Sequence, residues 1–416
     1  MAVGETLPVR DALLAMITAI RSGEMQQARG IGERCVIPLS LTSVDLAMGA
    51  KLCEGAESIV YRGTWAGHPV AIKKFRITSS ADLDRFKSEL TILSSLNHPA
   101  VVPLLGARAM PPDYMLVLPL AGGGNLRNAL HERGWRPSWS QLLGMAAQMA
   151  AGMQHIHSIG VLHRDMKPAN VLLLDHATGG GGSSNSKISG SAISSGKVDG
   201  GSGAGVGLPE GPEAGSPEEA GPRLRLQVAD FGLAAREVDG AGEYDADSLM
   251  AGGKPTGGFY KRQMVGTLEY MAPELLLRTA PPSRASDVYA WAVTVNEMAT
   301  GIVPFSDCTK DNPEVHTVLE MGYGRQELAA AVCAEGLRPL LPRRCPPGFS
   351  RLLLGCWEQD PARRPSFAQV LESLGRLVTE ELAPWEAAEV AAGAGKREAG
   401  QEQVCGPGGA GDDGRV

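Results

Sequence analysis

His163-Arg164-Asp165-Met166-Lys167-Pro168-Ala169-Asn170 and, 60 residues beyond that asparagine, Asp230-Phe231-Gly232 decide how this chain folds. Taken alone, each piece is ordinary. Asp and Asn are common in loops because their side chains accept hydrogen bonds from nearby backbone N–H groups. Around His163 the only acid, His or Cys at metal-ligand spacing is Asp165, which argues against a zinc-type site. The meaning lies in what surrounds these residues and in what order.

The chain has 416 residues with 53 Gly and 28 Pro, well above the roughly 12% that these two types contribute to an average protein. Part of it is therefore not packed core. A hydrophobic content of 43% still excludes a wholly disordered chain, because it supplies enough apolar surface to offset the entropy of ordering. A net charge of −7 argues against a nucleic-acid binder, whose affinity comes from neutralising phosphates. Proteins and small molecules are the expected partners. Seven dispersed cysteines without a CxxC pair fit a reducing intracellular compartment, most simply the cytoplasm. No membrane span is expected, since the run Val288 to Phe305 is interrupted by Asn296 and Glu297 and falls short of a spanning stretch.

Composition also sets the boundaries. Residues 177–222 hold 14 Gly, 9 Ser and 4 Pro without one aromatic residue, a mixture that cannot bury enough to fold. We expect a disordered insert at 176–222, a second Gly-rich insert at 240–258, an N-terminal extension at 1–45 with a short helix over Ala12 to Ile20, and a largely disordered tail at 379–416. Residues 46–378 remain as one folded unit. Its first part reads as strands: Ser58 to Arg62 and Val70 to Phe75 are β-branched and aromatic and are separated by Gly63 and Gly67. Leu83, Phe86, Leu90 and Leu93 then repeat at three and four, which predicts an amphipathic helix from Asp82 that stops before Asn97. A strand through Tyr114 to Leu120 follows. Beyond it Leu142, Ala146, Met149, Met153 and Ile156 draw one helical stripe.

Five motifs fall in a fixed order: Val70-Ala71-Ile72-Lys73, the His163 to Asn170 loop, Asp230-Phe231-Gly232, Ala272-Pro273-Glu274, and Ser286-Asp287 at a helix start. Together they resemble the eukaryotic protein kinase family over about four fifths of the chain. The resemblance implies an α+β bilobal fold, with a small antiparallel β-rich N-lobe carrying one main helix and a larger α-helical C-lobe. Lys167 in Asp-x-Lys-x-x-Asn and Thr267 before Ala272 are similar to serine/threonine kinases. Cys356-Trp357 with Arg364-Pro365 resembles the tyrosine kinase-like group.

The family's site residues carry over one by one. Lys73 would reach the α and β phosphates of ATP, with Glu89 as its acidic partner from the helix behind. Asp165 would orient the substrate hydroxyl, with Lys167 and Thr267 close by. Asn170 and Asp230 would hold Mg²⁺, to which their oxygens are suited. His163 and Phe231 are expected to pack beneath the site. The adenine pocket would be formed by Leu52, Gly55, Val60, Ala71, Leu118 as gatekeeper, the carbonyl of Pro119, the N–H of Ala121, and Leu172. Glu274 should pair with Arg364. The implied activity is transfer of the ATP γ-phosphate to serine or threonine hydroxyls of protein substrates, in intracellular signalling, with control through the activation segment. There Ser248, Thr256 and Tyr260 are candidate phosphosites.

The phosphate loop departs from the family. Gly-x-Gly-x-x-Gly matches Cys53-Glu54-Gly55-Ala56-Glu57-Ser58, so only the central glycine is kept, and Glu57 places negative charge where phosphate must come. This keeps two rivals open: a pseudokinase or ATP-binding scaffold, and a dual-specificity or tyrosine kinase. Substrate, upstream activator and oligomeric state are not written in the sequence.

Overall fold

The computed structural model describes residues 46–174, 224–237, 267–306 and 325–391. The expected helix over Ala12 to Ile20, the inserts at 176–222 and 240–258, and Ser248, Thr256 and Tyr260 lie outside the described residues.

The chain begins with three strands, β1 (Leu46–Glu54), β2 (Ser58–Trp65) and β3 (His68–Phe75). Ala66 and Gly67 join β2 to β3 with φ of 49° and 81°, the left-handed pair that a two-residue hairpin needs to match strand twist. At Gly63 a Cβ would lie 2.3 Å from Ile72 Cδ1 and 2.6 Å from the Ala47 carbonyl oxygen, so the sheet closes only over a residue without a side chain. Strands β4 (Gly106–Met110) and β5 (Asp113–Pro119) complete an antiparallel sheet in the order β1-β2-β3-β5-β4.

Between β3 and β4 runs helix α1 (Ser80–Ser95). It starts two residues before the expected Asp82, because the Ser79 hydroxyl accepts the Asp82 N–H while the Asp82 carboxylate accepts the Ser79 N–H. This reciprocal capping box satisfies two otherwise orphaned donors. Phe86, Ile92 and Leu93 are buried, whereas Leu83 and Leu90 are half-buried and pack at the edge of the core.

The second layer is helical. Helix α2 (Trp139–Ser158) is again opened by a capping box, Ser138 with Gln141. The expected stripe is buried, and so are most of the other faces. The helix lies between strands β6 (Val161–Leu162) and β8 (Leu226–Val228), the latter flanked by β7 (Val171–Leu173), and helices α3 (Arg284–Thr300) and α5 (Phe367–Arg376), and helices apolar all round belong in such interiors. Strands β7 and β8 pair antiparallel, so the two ends of the long insert meet as a hairpin. Helix α4 (Pro347–Cys356) precedes α5. Helical structure continues beyond the expected edge at Val378, through Leu377–Leu382 and on to residue 391, where Trp385 meets Trp139 edge-on at 5.5 Å. The tail after residue 378 is thus helical over its first third. No helix among the described residues is long and apolar enough to cross a membrane.

Arg364 and Glu274 fasten this layer by two parallel hydrogen bonds of 2.7 Å, with the guanidinium also 5.2 Å from the Tyr289 ring centre. The Arg364 side chain is fully buried. Removing one partner of a buried pair strands the other charge, at about 3–5 kcal/mol. Arg364→Met should therefore lower the urea midpoint of unfolding by an amount corresponding to that loss, and an unchanged midpoint would refute the role.

Candidate active site

The sheet registers assemble one wall of the cleft. Val60 lies opposite Lys73, Ala71 opposite Leu118, and Leu116 opposite Lys73. Side chains alternate across a strand, so Val60, Ala71, Lys73, Leu116 and Leu118 share one face. Cys53, paired with Val60, joins them. Leu52 falls within a register irregularity of β1 and is 49% exposed, so the ladder alone does not put it on that face. Gly55 sits in the exposed turn between β1 and β2, its N–H donating to the Ser58 carbonyl at 2.8 Å.

Below the sheet, the linker after β5 is stitched to β7. The Gly123 N–H donates to the Leu173 carbonyl at 2.9 Å and the Leu173 N–H to the Gly124 carbonyl at 2.8 Å. An isolated bridge also pairs Leu172 with Asn125 of that linker, and Pro119 and Ala121 at its start are half-buried.

Lys73 is the electrostatic centre of the upper wall. Its Nζ is 2.6 Å from Glu89 Oε1 and 2.9 Å from Asp230 Oδ1. Burial alone would push its pKa down, but the attraction of the two carboxylates outweighs burial and holds the ammonium above the ordinary lysine value. Glu89 shows the opposite balance: burial dominates the pull of Lys73 and raises its pKa. The Asp230 side chain is 52% exposed, so its partial desolvation is outweighed by the Lys73 ammonium and its pKa falls. Asp230 carries a left-handed φ of 64°, a conformation that costs a non-glycine residue energy and that clusters at functional sites. Phe231, fully buried, meets His163 edge-on at 5.2 Å beneath it.

The second cluster surrounds Asp165. Lys167 Nζ donates to Asp165 Oδ2 and to Thr267 Oγ1, both at 2.7 Å, and the Thr267 hydroxyl donates to Asp165 Oδ1 at 3.1 Å. Asn170 Nδ2 donates to the Asp165 carbonyl at 2.7 Å and to Oδ2 at 3.0 Å. These contacts fix the carboxylate's orientation. They also leave the Asn170 side-chain oxygen free of the amide's donor work. The Ala229 N–H donates to the Asn170 carbonyl at 2.9 Å, which sets Asn170 beside the residue preceding Asp230. An amide oxygen and an ionised carboxylate brought to adjacent strands are hard donors that fit a divalent cation such as Mg²⁺.

Sequence reasoning gave Asp287 no role beyond marking a helix start, yet it holds the Asp165 loop in place. Its Oδ2 accepts the His163 N–H at 2.9 Å and contacts His157 Nε2 at 2.8 Å, and its Oδ1 accepts the Arg164 N–H at 2.9 Å. Arg164 itself adopts a φ of 67°. The available signal was an acid in the first turn of a helix, followed directly by the largely apolar stretch Val288 to Val295; such an acid has to be partnered if buried. Cys53 matches the first glycine of the phosphate loop in the sequence, and its place on the cleft face follows from the register.

The fold and the placement of these residues define the bilobal protein kinase class. The family model for protein tyrosine and serine/threonine kinases matches residues 46–201, and that for the protein kinase domain matches residues 214–374. The chain belongs to the protein kinase family. It is 36% identical to a protein kinase and PP2C-like domain-containing protein of Arabidopsis thaliana, over 81% of this chain and 44% of the relative. A protein of the same name from Oryza sativa subsp. japonica is 33% identical, over 85% and 48% respectively. The serine/threonine/tyrosine-protein kinase HT1 of Arabidopsis thaliana is 28% identical, over 81% and 68%. The chain thus spans about half the length of the first two relatives.

Asp287 stays ionised below the ordinary carboxylate range: burial opposes this, but its bonds to His157 and to the loop N–H groups prevail. A carboxylate with a folded pKa below its unfolded value of about 3.9 contributes stability above that pH and loses it as pH falls through the folded value. Thermal unfolding between pH 6 and pH 3 should therefore show a steep acid decline in the wild type and a shallower one in Asp287→Asn, whose midpoint is already lower at pH 6. Parallel acid declines would refute the assignment.

Proposed function

We propose that this chain is an ATP- and Mg²⁺-dependent serine/threonine protein kinase of the tyrosine kinase-like group, acting on protein substrates in intracellular signalling. The observation that supports this reading is the network in which Lys167, Thr267 and Asn170 fix the Asp165 carboxylate, beside which a substrate hydroxyl would enter. There the hydroxyl oxygen would form its bond to the γ-phosphorus as the bond to the β,γ-bridging oxygen breaks, and the hydroxyl proton would pass to Asp165. Lys73, held by Glu89, would meet the α and β phosphates, and Lys167 would stabilise charge on the transferred group. Asn170 and Asp230 would hold Mg²⁺, which supplies neutralisation of phosphate charge when bound. The adenine would lie between Val60 and Ala71 above and Leu172 below, with Leu52 at the rim and Leu118, the Pro119 carbonyl and the Ala121 N–H along the back.

The free thiols of Cys53, Cys333, Cys345 and Cys356 support a reducing, cytoplasmic setting. The loss of two loop glycines at Cys53 and Ser58 favours a second reading, nucleotide binding without turnover as a scaffold. The name of HT1 favours transfer to tyrosine as well.

The test is transfer of radiolabelled phosphate from ATP by the full chain to generic protein substrates, followed by phosphoamino acid analysis. We expect label on serine and threonine, loss of label when EDTA removes the metal, and a fall of about 10²-fold or more in Asp165→Asn. Equal, negligible label in wild type and variant with ATP still bound would establish the scaffold instead, and label on tyrosine would extend the specificity.

A further inference from the structure

The turn between β1 and β2 carries two acids where a triphosphate, itself strongly anionic, has to approach. Both acids are paired with arginines. Glu57 Oε1 is 3.2 Å from Arg85 Nε on α1, and Glu54 is paired with Arg76, just past the end of β3. Arg76 also grips the turn through its backbone and side chain: its N–H donates to the Glu57 carbonyl at 2.9 Å and its Nη1 to the Gly55 carbonyl at 3.3 Å. Lys51 adds a second cation on Glu54 at 2.9 Å, and Asp82 holds the other end of Arg85 at 2.5 Å. Arg85 precedes Glu89 by four residues, one helical turn on the same face. Glu57 is near enough to Glu89 for its charge to be felt there.

We propose that Arg85 and Arg76 are positioning residues for ATP: they hold the acids of the phosphate loop out of the triphosphate's path and, through Glu57, tie that loop to the helix that carries Glu89. The inference rests on the proposed kinase reading and deepens it. In a loop with one glycine, backbone N–H groups approach phosphate less freely, so the charge balance of the loop matters more. An arginine lost from such a pair leaves a bare carboxylate facing phosphate, and the penalty grows with each phosphate on the ligand.

Binding of adenosine, ADP and ATP with Mg²⁺ to the full chain, measured by calorimetry, distinguishes this from a purely structural role. Arg85→Gln should weaken ATP by about fivefold, ADP by less, and adenosine not at all, a size set by the modest worth of exposed ion pairs. Glu57→Gln added to that variant should bring ATP affinity back to within roughly twofold of wild type, as should the charge-exchanged Glu57→Arg, Arg85→Glu protein. An equal loss for all three ligands, or no recovery in either double variant, would mean that Arg85 only holds the helix and would overturn the inference. Wild-type protein that binds no nucleotide would overturn the kinase reading itself, whereas wild-type binding with a uniform loss in Arg85→Gln would overturn only the inference.

Discussion

The carboxylate of Asp287 is buried where water does not reach it, and its oxygens are satisfied by the N–H groups of His163 and Arg164 and by the His157 ring. An ionised carboxylate in the interior is costly unless it is hydrogen-bonded in this way. The same bonds that make Asp287 tolerable therefore dictate the path of the chain into Asp165. The loop cannot relax without exposing a buried charge, and this is why Asp165, Lys167 and Asn170 converge. Helix α3, the most buried of the helices, is thus the base from which the lower half of the site is built.

The upper half depends on a different balance. Lys73 sits between Glu89 and Asp230, one on helix α1 and the other on the strand β8 side of the cleft. Burial alone would favour the neutral forms of Lys73 and Glu89, whereas Asp230 is half exposed. The attraction of two carboxylates keeps Lys73 charged, while Glu89, deeper in the core, is pushed the other way. A group under such opposing forces is sensitive to small displacements of its helix, which links the position of α1 to the charge that a phosphate would meet. On the exposed side of the same helix, Arg85 pairs with Glu57 of the β1-β2 turn.

The helical layer tolerates long insertions because its fastenings lie elsewhere. Strands β7 and β8 pair at the base of a loop some 50 residues long, and the cost of closing a loop grows only slowly with its length. Arg364 and Glu274, by contrast, join segments 90 residues apart through a buried two-pronged bond, so their separation cannot drift.

Motif order determined the class of fold and pointed to the residues that the fold gathers around Lys73 and Asp165. Lys73, Glu89, Asp165, Lys167, Asn170 and Asp230 were each named from spacing and resemblance, because phosphoryl transfer constrains both residue type and sequence order. The α1 and α2 helices were visible from their apolar periodicity, a local property that needs no partner to be read. Tertiary structure decided what periodicity cannot carry. Asp287 looked like a helix-start residue until its burial against the His163 loop gave it partners 120 residues away, and Trp385 looked like part of a tail until it met Trp139. Glu57 read as a charge facing phosphate, and its pairing with Arg85 on α1 appears only in the fold. In each case the deciding force acts between atoms distant in sequence, and burial or pairing at a distance leaves no mark on the local pattern of residues.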